Sequence, residues 1–191
     1  FPLLVRSDTL RRLHAHEIFP GYTGQLSKEG PSYKIQGLTD QQYEKLGDFV
    51  VWDEASKKPV AITRDEVGKR LNQKGVQPAL EGAFTVKTVD GKSVEVMTLW
   101  SLYQIHLKDY DLESVHDITH APTELMERLA KDIATIKPAA IHQGEGINHW
   151  FHATEANRAA YLPLMLTGNI GQPGAGCHTW AGNYKAALFQ G

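Results

Sequence analysis

The sequence predicts an α/β fold built on a parallel sheet, with a β-hairpin insertion and long loops, and three observations predict it. From Pro122 onward the order is helix, strand, glycine loop and helix, the order of a parallel layer. Asp90-Gly91 stands between two alternating runs, Phe84 to Val89 and Ser93 to Val96, a strong short-range hairpin signal. The first stretch carries Pro20-Gly21-Tyr22-Thr23-Gly24 and Gly30-Pro31, which is loop chemistry.

Residues 1–47 read as an irregular connecting segment. Phe1 to Arg6 is an apolar strand, and a short helix over 39–46 takes Thr39 as its cap. Residues 48–97 are hairpin-rich: Phe49 to Trp52 pairs with Pro59 to Ile62 across the polar turn 53–58, and the Asp90-Gly91 hairpin follows. At Thr98 the apolar period changes from two to 3.6, which opens an α/β portion over 98–191. Leu99, Leu102, Tyr103 and Leu107 form one stripe on a helix to about Lys108, and a short helical piece covers 112–118. Pro122 opens the next helix, where a missing N–H costs nothing. Glu124 lies near its positive end, and Leu125, Leu129, Ile133 and Ile136 are expected to bury one face. Lys137-Pro138 ends it. Ala139-Ala140-Ile141 is a short buried strand, followed at once by Gly144-Glu145-Gly146. The last helix contains Pro163, which implies a kink or broken turn, and closes on a glycine cap at Gly168.

Composition excludes several classes. The 191 residues carry a net charge of −2, so the electrostatic case for a nucleic-acid partner is absent. The longest mostly apolar run, Ala159 to Leu166, is far short of the ~20 residues a membrane-spanning helix needs. A single cysteine, Cys177, excludes an internal disulfide and any cysteine-built zinc or iron–sulfur site within these residues. The chain begins on Phe1 in a strand already under way and stops without a cap, so it is expected to be an internal fragment of a longer protein.

The chemistry is expected in residues 138–191. They hold eight of the 17 glycines and four of the nine histidines, but of the charged residues only Glu145, Glu155, Arg158 and Lys185. Neutral donors and acceptors interleaved with glycine let a backbone approach a large polar organic molecule closely; a glycine-rich structural interface is the alternative. Gly144-x-Gly146 after a strand is half of a dinucleotide fingerprint, but Asn148-His149-Trp150 stands where the third glycine belongs. His149 and His152, with His142, invite a zinc proposal that lacks a suitable third ligand, so hydrogen bonding is the reading taken and no metal ligand is assigned. Cys177 lacks nucleophile surroundings and reads as a small packed residue in a glycine turn. Arg158 is either a phosphate fork or a helix-surface charge. Asn183 offers a donor and an acceptor, and Lys185 is either a partner for an anionic ligand or solvated surface.

At Leu166-Thr167-Gly168-Asn169-Ile170-Gly171-Gln172-Pro173-Gly174-Ala175-Gly176 the chain resembles the catalytic subunit of molybdopterin oxidoreductases, the dimethyl sulfoxide reductase family. The helix-then-strand lead-in from Ile118 to Ile141 resembles the same family. Gly146 to His152 is similar to a loop of respiratory nitrate reductases. Trp180 to Lys185 and Phe1 to Thr9 look like the branch of nitrite oxidoreductases and perchlorate, chlorate and selenate reductases. The resemblance implies part of a Rossmann-like parallel-sheet domain within one larger catalytic subunit. It implies a molybdenum bis(molybdopterin guanine dinucleotide) cofactor, with oxygen-atom transfer between nitrite and nitrate. Perchlorate, chlorate or selenate reduction, or a non-catalytic α/β remnant, are the alternatives. Gly144, Gly146, Asn148, His149, Gly182, Asn183 and Lys185 would contact the cofactor. No catalytic residue falls in this stretch, and an iron–sulfur cluster is expected only outside it. The implied partners are an iron–sulfur beta subunit and a membrane-anchoring or haem subunit, which would place relatives in the periplasm or at a membrane.

Overall fold

The computed structural model describes residues 2–22, 49–63, 66 and 74–179; the expected helix over 39–46 lies outside them. The chain divides into two compact units, Phe1–Tyr110 and Asp111–Gly191.

The first unit is antiparallel. Strand β1 (Leu4–Arg6) leads to a 3-10 turn at Ala15–Glu17. Strands β2 (Phe49–Asp53) and β3 (Lys58–Ile62) form the expected first hairpin, with Phe49 opposite Ile62 and Asp53 opposite Lys58. Strands β4 (Ala83–Lys87) and β5 (Ser93–Thr98) form the second. Its turn is tied by Thr88 N–H donating to the Lys92 carbonyl (2.8 Å) and needs Gly91 at φ +85. β1 adds to the free edge of β5, giving the order β1-β5-β4. Alternation in β2 puts Val50 and Val51 on opposite faces, and both are fully buried. Val50 joins Leu4, Leu13, Ala15, Val86, Val94 and Val96, while Val51 joins Ile62 and Val76. Trp52 stacks on Phe84 with ring centres 4.2 Å apart. Helix α1 (Leu99–Leu107) starts where Thr98 Oγ1 accepts the Ser101 N–H.

The second unit is helical around one parallel pair. Helix α2 (Leu112–Thr119) is capped by Asp111, whose Oδ1 accepts the Ser114 N–H. Helix α3 (Thr123–Thr135) follows Pro122 as expected. The expected burial of its stripe is corrected: Ile133 is half-buried, but Leu125, Leu129 and Ile136 are 59–62% exposed, because no described residue packs over that face. Strand β6 (Ala140–Gln143) runs parallel to β7 (Gly176–Thr179), with helices α4 (Glu145–Asn148) and α5 (Ala153–Leu166) in the crossover. Burial in β6 is confined to Gln143; Ile141 is half-buried and Ala140 exposed, against the expected buried strand. Nor does Pro163 break its helix, since α5 continues through it to Leu166.

The glycine cap holds. Gly168, at φ +70, donates to the Met165 carbonyl and Asn169 to the Leu164 carbonyl (2.9 Å), the paired bonds of a Schellman ending. Among the described residues no helix is long and apolar enough to cross a membrane.

Candidate functional site

Two places in the second unit compete. One is a cavity of about 350 Å³ lined by Lys137, Pro138, Gly168, Asn169, Gln172 and Pro173. It lies where the chain enters β6. The polar side chains of Lys137 and Asn169 are already committed to the fold. Lys137 Nζ donates to the Ile133 and Thr167 carbonyls. The fully buried Asn169 carboxamide accepts the Ala139 N–H (2.9 Å) and donates to Thr167 Oγ1 (2.8 Å) and to the Ile133 carbonyl (3.4 Å). Asn169 therefore ties the ends of α3 and α5 to the start of β6. Sequence reasoning quoted this residue in its motif and missed the role; a polar residue directly after a helix-capping glycine was the available signal.

The other place is the opposite edge, where β6 and β7 end and Gly144 to His152 leaves the sheet. Open parallel sheets bind ligands at this carboxyl edge. Gly144 caps α4 in an extended conformation, and a Cβ built on Gly144 or Gly146 would meet nothing within 4 Å. Among the described residues their surroundings are open space. Asn148 ends α4 with its side chain exposed, and His149 follows with its backbone N–H donating to the Glu145 carbonyl (3.2 Å) and its ring exposed. The structure brings these four together; Gly182, Asn183 and Lys185 lie outside the described residues.

Behind the loop sits a neutral amide chain. Gln143 Nε2 donates to the Asn157 carbonyl (3.5 Å), and Asn157 Nδ2 donates to Asn148 Oδ1 (2.9 Å). Gln143 is 6% exposed, yet its Oε1 has no hydrogen-bond partner among the described residues. A buried, unpaired acceptor costs about 1–3 kcal/mol. Gln143 stands directly before Gly144 at this edge.

The remaining candidates are surface features. His142 and His178, register partners on β6 and β7, stack with ring centres 4.6 Å apart. His152 points a ring nitrogen at Glu155 Oε2 at 3.9 Å. Among the described residues no three metal-ligating side chains gather. Arg158 is exposed on α5. Against the expected packing in a turn, Cys177 is exposed on β7 opposite Ile141, because the strand has already begun at Gly176. Burial and the Cys177 sulfur push the Tyr161 hydroxyl up from its ordinary pKa.

Comparison with known proteins follows this geometry. No family model matches the chain. It is 39% identical over 114 residues to the respiratory nitrate reductase subunit alpha of Haloferax mediterranei, covering 60% of this chain and 12% of the relative. It is 30% identical over 197 aligned residues to the perchlorate reductase subunit alpha of Dechloromonas aromatica, covering 98% of this chain and 20% of the relative. Formate dehydrogenase H of Escherichia coli is 35% identical over 91 residues, 47% of this chain and 13% of the relative. The chain thus spans an eighth to a fifth of the length of these relatives.

Proposed function

The chain belongs to the molybdopterin oxidoreductase family, the dimethyl sulfoxide reductase family, and from that premise we propose that it forms the cofactor-cradling part of a catalytic alpha subunit interconverting nitrite and nitrate. One observation carries the reading: a charge-poor loop of glycine and amide side chains leaves the carboxyl edge of a parallel strand pair. We assign that β-α-α-β unit to a Rossmann-like domain.

The described residues fit a pterin nucleotide. Gly144 and Gly146 leave room for close backbone approach, Asn148 and His149 offer exposed neutral hydrogen-bonding groups, and Gln143 holds an acceptor without a partner among the described residues. Gly144, Gly146, Asn148 and His149 would hold molybdenum bis(molybdopterin guanine dinucleotide), joined by Gly182, Asn183 and Lys185. When bound, the cofactor supplies oxygen-atom transfer coupled to two electrons. The protein residues bind and orient it through neutral hydrogen bonds and leave the loop free of competing carboxylates other than Glu145. The substrate is nitrite or nitrate. Electrons are exchanged with an iron–sulfur beta subunit, with a membrane-anchoring or haem subunit placing the complex in the periplasm or at a membrane.

A second reading, reduction of perchlorate, chlorate or selenate, is favoured by the alignment of nearly the whole chain with a perchlorate reductase subunit. Molybdenum and pterin analysis of the full-length protein, followed by turnover with nitrite, nitrate, perchlorate, chlorate and selenate, tests both. Molybdenum with nitrite–nitrate turnover supports the first reading; molybdenum with perchlorate, chlorate or selenate turnover alone selects the second; protein without molybdenum or pterin defeats both.

A further inference from the structure

The amide chain behind the loop fixes which way Asn148 faces. Carboxamide oxygen and nitrogen are assigned from their surroundings, and here the surroundings are decisive. One terminal atom of Asn157 lies 2.7 Å from the Ala153 carbonyl, which can only accept, so that atom is the NH₂. The same NH₂ lies 2.9 Å from Asn148, so the Asn148 atom facing it is the carbonyl oxygen. Both Asn157 protons are then used. The Asn148 oxygen is turned towards α5, and its own NH₂ faces away on an exposed side chain. Gln143 clamps the same turn of α5 through the Asn157 carbonyl, and its buried Oε1 has no hydrogen-bond partner among the described residues.

Resting on the proposed function, we propose that Asn157 is a positioning residue that presents Asn148 as a donor, so that Asn148 receives an acceptor oxygen of the cofactor and rejects a donor N–H in that place. Phosphate oxygens and the pterin carbonyl share this chemistry. Asn157 touches no ligand; it acts by keeping the Asn148 carboxamide from flipping.

The full-length enzyme, purified with its cofactor, carries the test, read as molybdenum and pterin retained per subunit after dialysis, beside its melting temperature. Asn148→Asp keeps an oxygen for Asn157 but turns a carboxylate oxygen outward in place of the NH₂. Retention is expected to fall about tenfold or more while the melting temperature of the cofactor-free protein stays unchanged, since a donor is replaced by a repelled acceptor. Asn157→Ala is expected to lower retention several-fold alone, and to add nothing in an Asn148→Ala background, where there is no carboxamide to orient. Titration of the apo full-length protein with inorganic pyrophosphate, and separately with a phosphate-free pterin, identifies the source: Asn148→Asp weakens the first for a phosphate oxygen and the second for the pterin carbonyl.

Wild-type-like retention in Asn148→Asp overturns the assignment, as does an Asn157→Ala loss undiminished in the Asn148→Ala background. Should Asn157→Ala fail to fold, Asn148→Asp decides, because it leaves α5 intact. A wild-type enzyme without molybdenum and pterin overturns the proposed function and this assignment together; loaded wild type with equally loaded variants overturns the assignment alone.

Discussion

The two units solve the burial problem in opposite ways. In the first, aliphatic side chains from β1, β2, β4, β5 and the segment around Leu13 close on one another, and several charges beside them are paired. Arg6 bridges Asp8 and Glu17, Arg11 adds to Glu17, and the buried Asp53 accepts the N–H groups of Ala55, Ser56 and Gln77. In the second, Leu164 is the one buried aliphatic among the described residues, and the other interior groups are the amides of Gln143 and Asn169. Leu125, Leu129, Ile136, Trp150 and Phe151 stand exposed, the last by 89%. An amphipathic pattern therefore announces that a face is built to be covered, without saying what covers it. The first unit's pattern finds its partners on strands far apart along the chain, from Leu4 to Val96; the second unit's stripe does not find one among the described residues.

The sharpest way to break this contrast is to hollow each unit in turn. Leu13→Ala should cost about 2–5 kcal/mol in thermal or denaturant unfolding, the range for emptying a packed aliphatic site. Asn169→Ala should cost about 2–3 kcal/mol and act on the second unit alone, because it leaves the Ala139 N–H without its partner. Accelerated hydrogen exchange at the Ala139 amide would check it, and unchanged protection would contradict the staple.

Acid should separate the units next. Hydrogen bonds from Arg6 hold Asp8 at a pKa of about 2, and those at Ser56 and from the Gln77 N–H hold Asp53 at about 2. Burial pushes Glu17 up, but Arg11, the His14 N–H and Arg6 outweigh it and leave it lowered. Carboxyls depressed in the folded state contribute stability that is present above their unfolded pKa of about 4 and is lost as pH falls towards 2. The stacked Trp52 should report the first unit loosening over that window in its near-ultraviolet signal; a flat signal down to pH 2 would refute it. The smallest effect belongs to Leu129→Ala, within about 0.5 kcal/mol, since its side chain is already in solvent. A loss as large as that of Leu13→Ala would mean the stripe is covered after all.

Both hairpins, the helix after Pro122 and the glycine ending of α5 were legible in the sequence. Of the candidate site, the stretch Gly144 to His149 stands out in the sequence by its glycines and its shortage of charge, and the structure places it where β6 ends. The amide chain from Gln143 through Asn157 to Asn148 was not legible, because an isolated Gln or Asn has no period or spacing that names its partner.

What the sequence by itself determined is what the backbone decides locally. Asp90-Gly91 turns because Gly91 accepts a positive φ, α3 follows Pro122 because a first turn needs no N–H there, and α5 stops because Gly168 takes the left-handed cap. Tertiary structure alone decided that β6 and β7 lie side by side, that Asn169 ties three elements together, and that the apolar stripe of α3 faces outward. Those outcomes depend on groups far apart along the chain. A hydrogen bond or an apolar contact is complete only when the fold supplies both members, and local sequence specifies one of them at a time.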